Sequence, residues 1–104
     1  MPFTRTQAIA FTPSNIRSSV PNVGGVYGIF EAGAWIYVGE TEHLQGRLLE
    51  HAADLKHEMH RHHPTHFVYE LTTERLPRQN QLIRECAPVC NKRMATVRST
   101  TKRL

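Results

Sequence analysis

The chain lacks any long apolar run and has few cysteines, and each absence excludes a class of protein. No stretch of the 104 residues approaches the roughly 20 consecutive apolar residues that a membrane helix needs. The first residues lack the basic and then apolar layout of a secretory signal peptide. Cys86 and Cys90 are too few for a disulfide scaffold, and a zinc site would need two more ligands. We therefore predict a soluble, cytoplasmic protein with no membrane partner.

Acidic residues are absent from both ends of the chain. The sequence has 13 lysines and arginines against 9 aspartates and glutamates, a net charge of +4, yet no acid precedes Glu31 or follows Glu85. The C-terminal cations are Lys92, Arg93, Arg98, Lys102 and Arg103. Such a density of positive charge is typical of an arm that lies along nucleic-acid phosphates, although a solvated, frayed tail has the same composition.

The length predicts one domain with a single modest core, since a chain of this size buries only about two-thirds of its unfolded surface. Residues 1–22 show little periodicity and contain several prolines, which predicts an irregular lead-in with a short helix or turn near residues 14–18. We expect the domain to span residues 23–92 and a basic tail to follow over residues 93–104.

Apolar runs bounded by turn residues predict the strands. Residues 23–30 and 35–38 are apolar and partly β-branched, and the turn sequence at residues 31–33 joins them into a β-hairpin. Residues 67–71 alternate weakly and predict a third strand.

The side chains of the hairpin should cover both of its faces. Because side chains alternate along a strand, Tyr27 and Ile29 should share a face, as should Trp35 and Tyr37. Both faces carry apolar residues, so we expect the hairpin to be central and covered.

A helix should follow the hairpin, with Thr41 as its N-cap. Its apolar stripe consists of Leu44, Leu48, Ala52 and Leu55. At about 100° per residue, Arg47 and His51 fall at the edge of that stripe and should overhang the sheet. Taken alone, Arg47 also fits a surface arginine with a buried stem, and His51 fits a half-buried helix histidine.

Residues 56–66 contain five of the seven histidines: His57, His60, His62, His63 and His66. Pro64 and the polar composition predict a pH-sensitive loop that touches phosphates when it is protonated. A metal site is the alternative, but no cysteine or carboxylate set accompanies the histidines to complete its geometry.

A last helix should begin near Pro77 and end near Cys86, because Pro77 suits a first turn and Pro88 prevents continuation. Its apolar stripe is Leu76, Leu82, Ile83 and Cys86. Gln79 lies within the stripe, one turn before Ile83. A buried amide without partners costs about 1 to 3 kcal/mol, so this position favours a functional role, with an amide satisfied by the sheet backbone as the alternative.

The sequence from Gly25 to Asn91, about two-thirds of the chain, resembles the GIY-YIG nuclease family. The matching elements are Gly25-Val26-Tyr27, Tyr37-Val38-Gly39, Thr41 with Leu44, Arg47, Leu82-Ile83, Pro88 and Asn91. The resemblance implies an α/β (α+β) fold, a small three-stranded antiparallel sheet flanked by helices. It further implies a DNA endonuclease that uses one divalent metal ion, Mg²⁺ or Mn²⁺.

By the same resemblance, Tyr27 orients or deprotonates the attacking water and Tyr37 completes its hydrogen-bond network. Arg47 steadies charge on the phosphate, while His51 is similar to a histidine that assists the base in some restriction enzymes of the family. Asn91 looks like the family asparagine that braces the site. A free tyrosine has a pKa near 10, so a basic role for Tyr27 at neutral pH requires a neighbouring cation or imidazole.

Gln79 departs from the family pattern, in which this helix position is a glutamate that holds the metal. Mg²⁺ usually relies on one or two carboxylates, so the amide predicts weakened metal binding and cleavage. Lys92 and Arg93 follow Asn91 and should bind nucleic acid with Arg47. The alternatives are a non-cutting DNA-binding module on the same fold and, more distantly, a protein-binding module that uses the hairpin.

Overall fold

Four antiparallel strands form one sheet in the computed structural model, which describes residue 3 and residues 8–91. The strands are β1 (Ile9–Ala10), β2 (Gly25–Glu31), β3 (Ala34–Thr41) and β4 (His66–Leu71), and the helices are α1 (Pro13–Ser19), α2 (Leu44–Ala53) and α3 (Arg75–Cys86). A single-turn 3-10 helix, Glu58–His62, precedes β4. The strand order is β1-β4-β2-β3, so β3 is an edge strand. The fold is therefore α+β.

The predicted hairpin is confirmed as β2 and β3. Ala32 and Gly33 connect the strands with φ values of 49° and 83°, and Glu31 pairs with Ala34. Two consecutive positive φ values suit the tight two-residue turn that matches the twist of a hairpin. Glycine accommodates this conformation at Gly33 without steric cost.

A register shift in the hairpin corrects the predicted faces of β3. Ile29 pairs with Tyr37, but Phe30 pairs with Trp35, so Ile36 is an extra residue between the two pairs. Such a bulge rotates the strand, and Trp35 packs with Phe30 while Tyr37 packs on the opposite face of the sheet. The prediction that Trp35 and Tyr37 share a face is therefore wrong, because strict alternation does not hold across a bulge.

The two faces of the sheet are covered by different helices. One face carries Tyr27 and Ile29 and packs against α1 and α2; its buried set is Ile16, Val20, Tyr27, Ile29, Ile36, Leu44, Leu48, Met59, Phe67 and Cys90. The other face packs against α3; its buried set is Phe3, Val26, Val38, Val68 and Leu82. Both faces of the hairpin are thus covered, as predicted, but the hairpin is not central in the sheet, because β3 is an edge strand.

The N-terminal segment has more structure than the predicted irregular lead-in. β1 adds a fourth strand to the predicted three through the pairs Ile9–Phe67 and Ala10–His66. The short helix predicted near residues 14–18 is present as α1, capped by Thr12, whose Oγ1 accepts a hydrogen bond from Asn15 N over 3.2 Å. A two-residue strand is too short for alternation to reveal it. The predicted basic tail over residues 93–104 lies outside the described residues.

Both later helices occur where the sequence predicts them, with corrections at their ends. Thr41 is the last residue of β3 and not the N-cap of α2; its Oγ1 accepts from His43 N over 3.0 Å. Leu55 is 73% exposed because α2 ends at Ala53. Leu76, in the first turn of α3, is 57% exposed, which overturns its predicted place in the apolar stripe. No helix within the described ranges is long and apolar enough to cross a membrane.

Candidate functional site

The centre of the candidate site is a contact between a strand tyrosine and a helix histidine. Tyr27 on β2 is completely buried, and its hydroxyl lies 2.8 Å from Nε2 of His51, which is in the last turn of α2. The Tyr37 ring lies 5.3 Å from the His51 ring and 6.1 Å from the Tyr27 ring. The helix and the hairpin together therefore bring two phenols and one imidazole into contact.

The position of Tyr27 depends on the absence of a side chain at Gly39. Gly39 pairs with Tyr27 across β2 and β3, and a Cβ built on Gly39 would lie only 2.5 Å from the Tyr27 hydroxyl oxygen. Real Cβ atoms do not come this close to another heavy atom. The bare backbone of Gly39 thus leaves the space that the phenol needs to reach His51.

Burial raises the pKa of Tyr27 well above its ordinary value, and the nearby Tyr37 raises it further. The positive charge of the Arg47 guanidinium opposes this shift. Since burial is the larger effect, the phenol of Tyr27 keeps its proton at neutral pH. A phenol that keeps its proton cannot act as the base, which is one of the two roles that the family resemblance implies for Tyr27.

The pKa of His51 is lowered to about 4, chiefly by burial and also by the neighbouring His57, Arg47 and His60, while Asp54 acts in the opposite direction. At pH 7 the imidazole is therefore neutral and has one nitrogen available as a hydrogen-bond acceptor. A neutral imidazole beside a protonated phenol allows His51 Nε2 to accept a hydrogen bond from the Tyr27 hydroxyl.

Arg47 lies one turn before His51 on α2. It stands at the exposed edge of the cluster that Tyr27, Tyr37, His51 and Arg47 itself form. Its side chain is 45% exposed, and its Nε lies 3.2 Å from Oε1 of Glu50. An ion pair with this exposure contributes little to stability and is easily exchanged for another anion. The guanidinium can therefore reach a ligand while its charge still acts on Tyr27.

Asn91 fixes the backbone of the edge strand next to Tyr37. Its Nδ2 donates to the carbonyl of Val38 over 2.8 Å, and its Oδ1 accepts from the N–H of the same residue. The side chain is buried and thus takes the place of a neighbouring strand at this point of β3. Asn91 braces the strand that carries Tyr37 and Gly39, and both of its side-chain hydrogen bonds go to Val38.

Gln79 belongs to α3, which packs on the other face of the sheet from Tyr27 and α2. The residue is half-buried. Within the described residues, the side chain of Gln79 makes no hydrogen bond or ion pair. The structure therefore brings Tyr27, Tyr37, Arg47 and His51 together and does not link Gln79 to them through a polar contact. Lys92 and Arg93 lie outside the described residues.

The histidine-rich segment contributes to the site in a way that the sequence did not indicate. In place of the predicted polar loop, the 3-10 helix Glu58–His62 packs onto the domain with Met59 completely buried. His60 Nε2 donates to the backbone carbonyl of His51 over 2.8 Å, and the His57 ring lies 5.2 Å from the His51 ring. Met59 is the one large apolar residue in this polar segment, and it was the sequence feature that could have indicated packing onto the core.

The donor set of the cluster does not fit the divalent ion that the family resemblance implies. Mg²⁺ and Mn²⁺ prefer carboxylate and water oxygens, whereas the cluster supplies phenols, imidazoles and a guanidinium. Among the described residues, no group of three or more histidine, cysteine, aspartate or glutamate side chains is arranged to hold a metal ion. Glu50 and Asp54 line the cleft beside His51 and His57, but they do not form such a group with these histidines.

The lowered pKa of His51 predicts that acid destabilises the fold. Between pH 6.5 and about 4 the unfolded chain takes up a proton at this residue that the folded chain does not, so the free energy of unfolding should decrease as the pH falls through this range. The loss should be on the order of 2 to 3 kcal/mol. Urea unfolding at several pH values measures it. His51→Gln should show a weaker pH dependence than the parent, whereas His62→Ala should not; equal pH dependence in all three would contradict the assignment.

The fold and the site thus define a small α+β domain that has a buried tyrosine–histidine pair beside an arginine. Comparisons with protein-family models, with curated proteins and with solved structures found no match. The GIY-YIG resemblance accordingly rests on the residues quoted above, and the function is argued from the geometry of the cluster.

Proposed function

We propose that the chain is a DNA endonuclease domain of the GIY-YIG type, in which Tyr27, His51 and Arg47 act on a DNA phosphodiester. The observation that carries this proposal is the 2.8 Å contact between the Tyr27 hydroxyl and His51 Nε2, with the Arg47 charge acting on the same phenol. Phosphodiester hydrolysis requires a proton acceptor for the attacking water and positive charge near the phosphate oxygens. The cluster supplies both.

The pKa shifts assign the roles within the cluster. His51 is neutral at pH 7 and can accept a proton from the attacking water, while Tyr27 remains protonated and orients that water. The planar Arg47 guanidinium matches two phosphate oxygens at once, which a lysine does less well. Glu50 is its exposed partner when no phosphate is bound.

A non-cutting DNA-binding module is the second candidate, and the neutral amide of Gln79 favours it. Loss of the carboxylate that the family resemblance implies at this position removes negative charge where a metal ion would be held. Phosphate binding by Arg47 does not need that charge. The two candidates therefore share DNA as the partner and differ in whether the bound phosphodiester is hydrolysed.

For both candidate functions, the endonuclease and the non-cutting module, we place the protein inside the cell. The chain has two cysteines, Cys86 and Cys90, which are too few for a disulfide scaffold and suit a reducing compartment. DNA binding of this kind should depend on salt, because each phosphate contact releases counterions from the duplex.

Arg47→Ala is expected to weaken DNA binding and to reduce the slope of log affinity against log salt by about 1, since one phosphate contact is lost. Fluorescence anisotropy of a labelled duplex over a range of salt concentrations measures both quantities. Arg84→Ala is the matched control, because Arg84 is an exposed arginine of α3, on the other face of the sheet. Truncation after Asn91 should flatten the slope further. An affinity that does not change with salt would argue for a protein partner instead of DNA.

A further inference from the structure

We propose that His57 is a further substrate-contacting residue of this site, with its Nε2–H donating a hydrogen bond to a phosphate oxygen of DNA. The inference rests on the proposed function, because it adds a residue to the same site. Three observations support it: the tautomer of the ring, its packing against the cluster, and the cleft that it shares with His51.

The backbone after His57 fixes its tautomer. The N–H of Met59 donates to His57 Nδ1 over 3.1 Å, so the neutral ring carries its proton on Nε2. That Nε2–H has no protein acceptor in the described part of the chain. A donor that is oriented by the protein but not used by it is suited to an anionic oxygen of a ligand.

Ring packing places His57 at the Tyr27–His51 pair. The His57 ring lies 5.2 Å from the His51 ring and 5.6 Å from the Tyr37 ring, nearly perpendicular to both. His57 and His51 also line one open cleft of about 480 Å³. A phosphate in this cleft would therefore contact the His57 donor next to the imidazole that accepts the proton.

Two carboxylates lie in the wall of the same cleft, Glu50 and Asp54. Glu50 is partly neutralised by Arg47, whose Nε lies 3.2 Å from its Oε1. Asp54 is exposed at the end of α2 and repels a phosphate from the rim. If a phosphate binds in this cleft, Asp54→Asn should bind DNA more tightly than the parent chain. If a cation binds there, the same substitution should weaken binding.

A purely structural role for His57 is the alternative, since it is also the N-cap of the 3-10 helix Glu58–His62. Two substitutions separate the roles. Asparagine places an acceptor oxygen where Nδ1 stands and is a favoured cap, but it has no donor at the position of Nε2. Glutamine reaches the Nε2 position with an N–H donor and loses the cap.

The experiment compares His57→Asn, His57→Gln and His62→Ala in the full chain. Affinity for a short labelled duplex at low salt and the midpoint of thermal unfolding are measured for each. We expect His57→Asn to bind about tenfold more weakly with an unchanged midpoint, the effect of one hydrogen bond to a charged group. His57→Gln should bind as tightly as the parent chain but unfold at a lower temperature. His62 makes no polar or ring contact among the described residues, so His62→Ala controls for the loss of one histidine.

Unchanged affinity in His57→Asn would overturn the proposal, as would equal weakening in His57→Asn and His57→Gln. A second measurement separates this result from a failure of the proposed function. Dimethyl phosphate is titrated into the parent chain while the ¹⁵N resonances of the histidine rings are recorded. If the His57 Nε2 resonance shifts but the chain does not bind DNA, the phosphate contact of His57 stands and the proposed DNA endonuclease function is rejected. If the resonance does not shift and the chain does not bind DNA, both proposals are rejected.

Discussion

Gln79→Glu is expected to give DNA cleavage that depends on Mg²⁺ or Mn²⁺, several orders of magnitude faster than that of the chain with Gln79. A nuclease must lower the barrier to phosphodiester hydrolysis by on the order of 15 to 20 kcal/mol, and a large part of this reduction comes from charge at the phosphate. The family resemblance implies a metal-holding carboxylate at this position, and the prediction rests on that resemblance, because α3 packs on the other face of the sheet from Tyr27 and α2. Since Gln79 is half-buried and glutamate has almost the same shape, folding should be nearly unaffected.

The matched control is Asn80→Asp, which adds the same negative charge to the adjacent exposed position of α3. It should not create cleavage. Adding Tyr27→Phe or Arg47→Ala to the Gln79→Glu chain should abolish the new activity, because the first removes the hydroxyl and the second the phosphate ligand. A Gln79→Glu chain that binds duplex, nicked and branched DNA but cleaves none of them would leave the non-cutting module as the function.

Gly39→Ala is expected to disrupt the site without changing any of its polar residues. The new Cβ would lie 2.5 Å from the Tyr27 hydroxyl oxygen and 2.6 Å from Cζ, so the phenol must move away from His51. Overpacking of this kind typically lowers the free energy of unfolding by about 1 to 3 kcal/mol. Urea unfolding measures this loss.

The Gly39→Ala chain should also show a changed His51. Once the Tyr27 ring is displaced, water reaches the imidazole, and the pKa of His51 should rise from about 4 toward its ordinary value. An NMR titration of the histidine ring protons measures this change. Gly46→Ala is the control, because a Cβ there has no neighbour closer than 3.6 Å and alanine favours the helix. If both alanine variants leave the His51 titration unchanged, Gly39 does not position Tyr27.

Local signals were sufficient for most of the secondary structure. Apolar runs bounded by turn residues predicted β2 and β3, weak alternation predicted β4, and Pro77 with Pro88 correctly bounded α3. Each of these features depends on a short window of chain, in which backbone propensity and side-chain periodicity act directly. Turn residues likewise identified the hairpin at Ala32 and Gly33.

Features that depend on packing between distant segments were missed. β1 exists because two residues pair with β4, and the bulge that separates Trp35 from Tyr37 depends on the pairing of β2 with β3. The docking of the 3-10 helix depends on the burial of Met59. None of these contacts leaves a periodic pattern in the sequence, because each involves only one or two residues.

The candidate site divides in the same way. The sequence by itself determined which chemical groups are present: two phenols, an arginine and a histidine one turn apart, a neutral amide at Gln79, and a net charge of +4. The tertiary structure decided that Tyr27 and His51, 24 positions apart, meet at 2.8 Å, and that His57 joins them. It also decided the protonation of the pair, because the pKa of each group depends on burial and neighbouring charges, which exist only after the sheet and α2 have packed together.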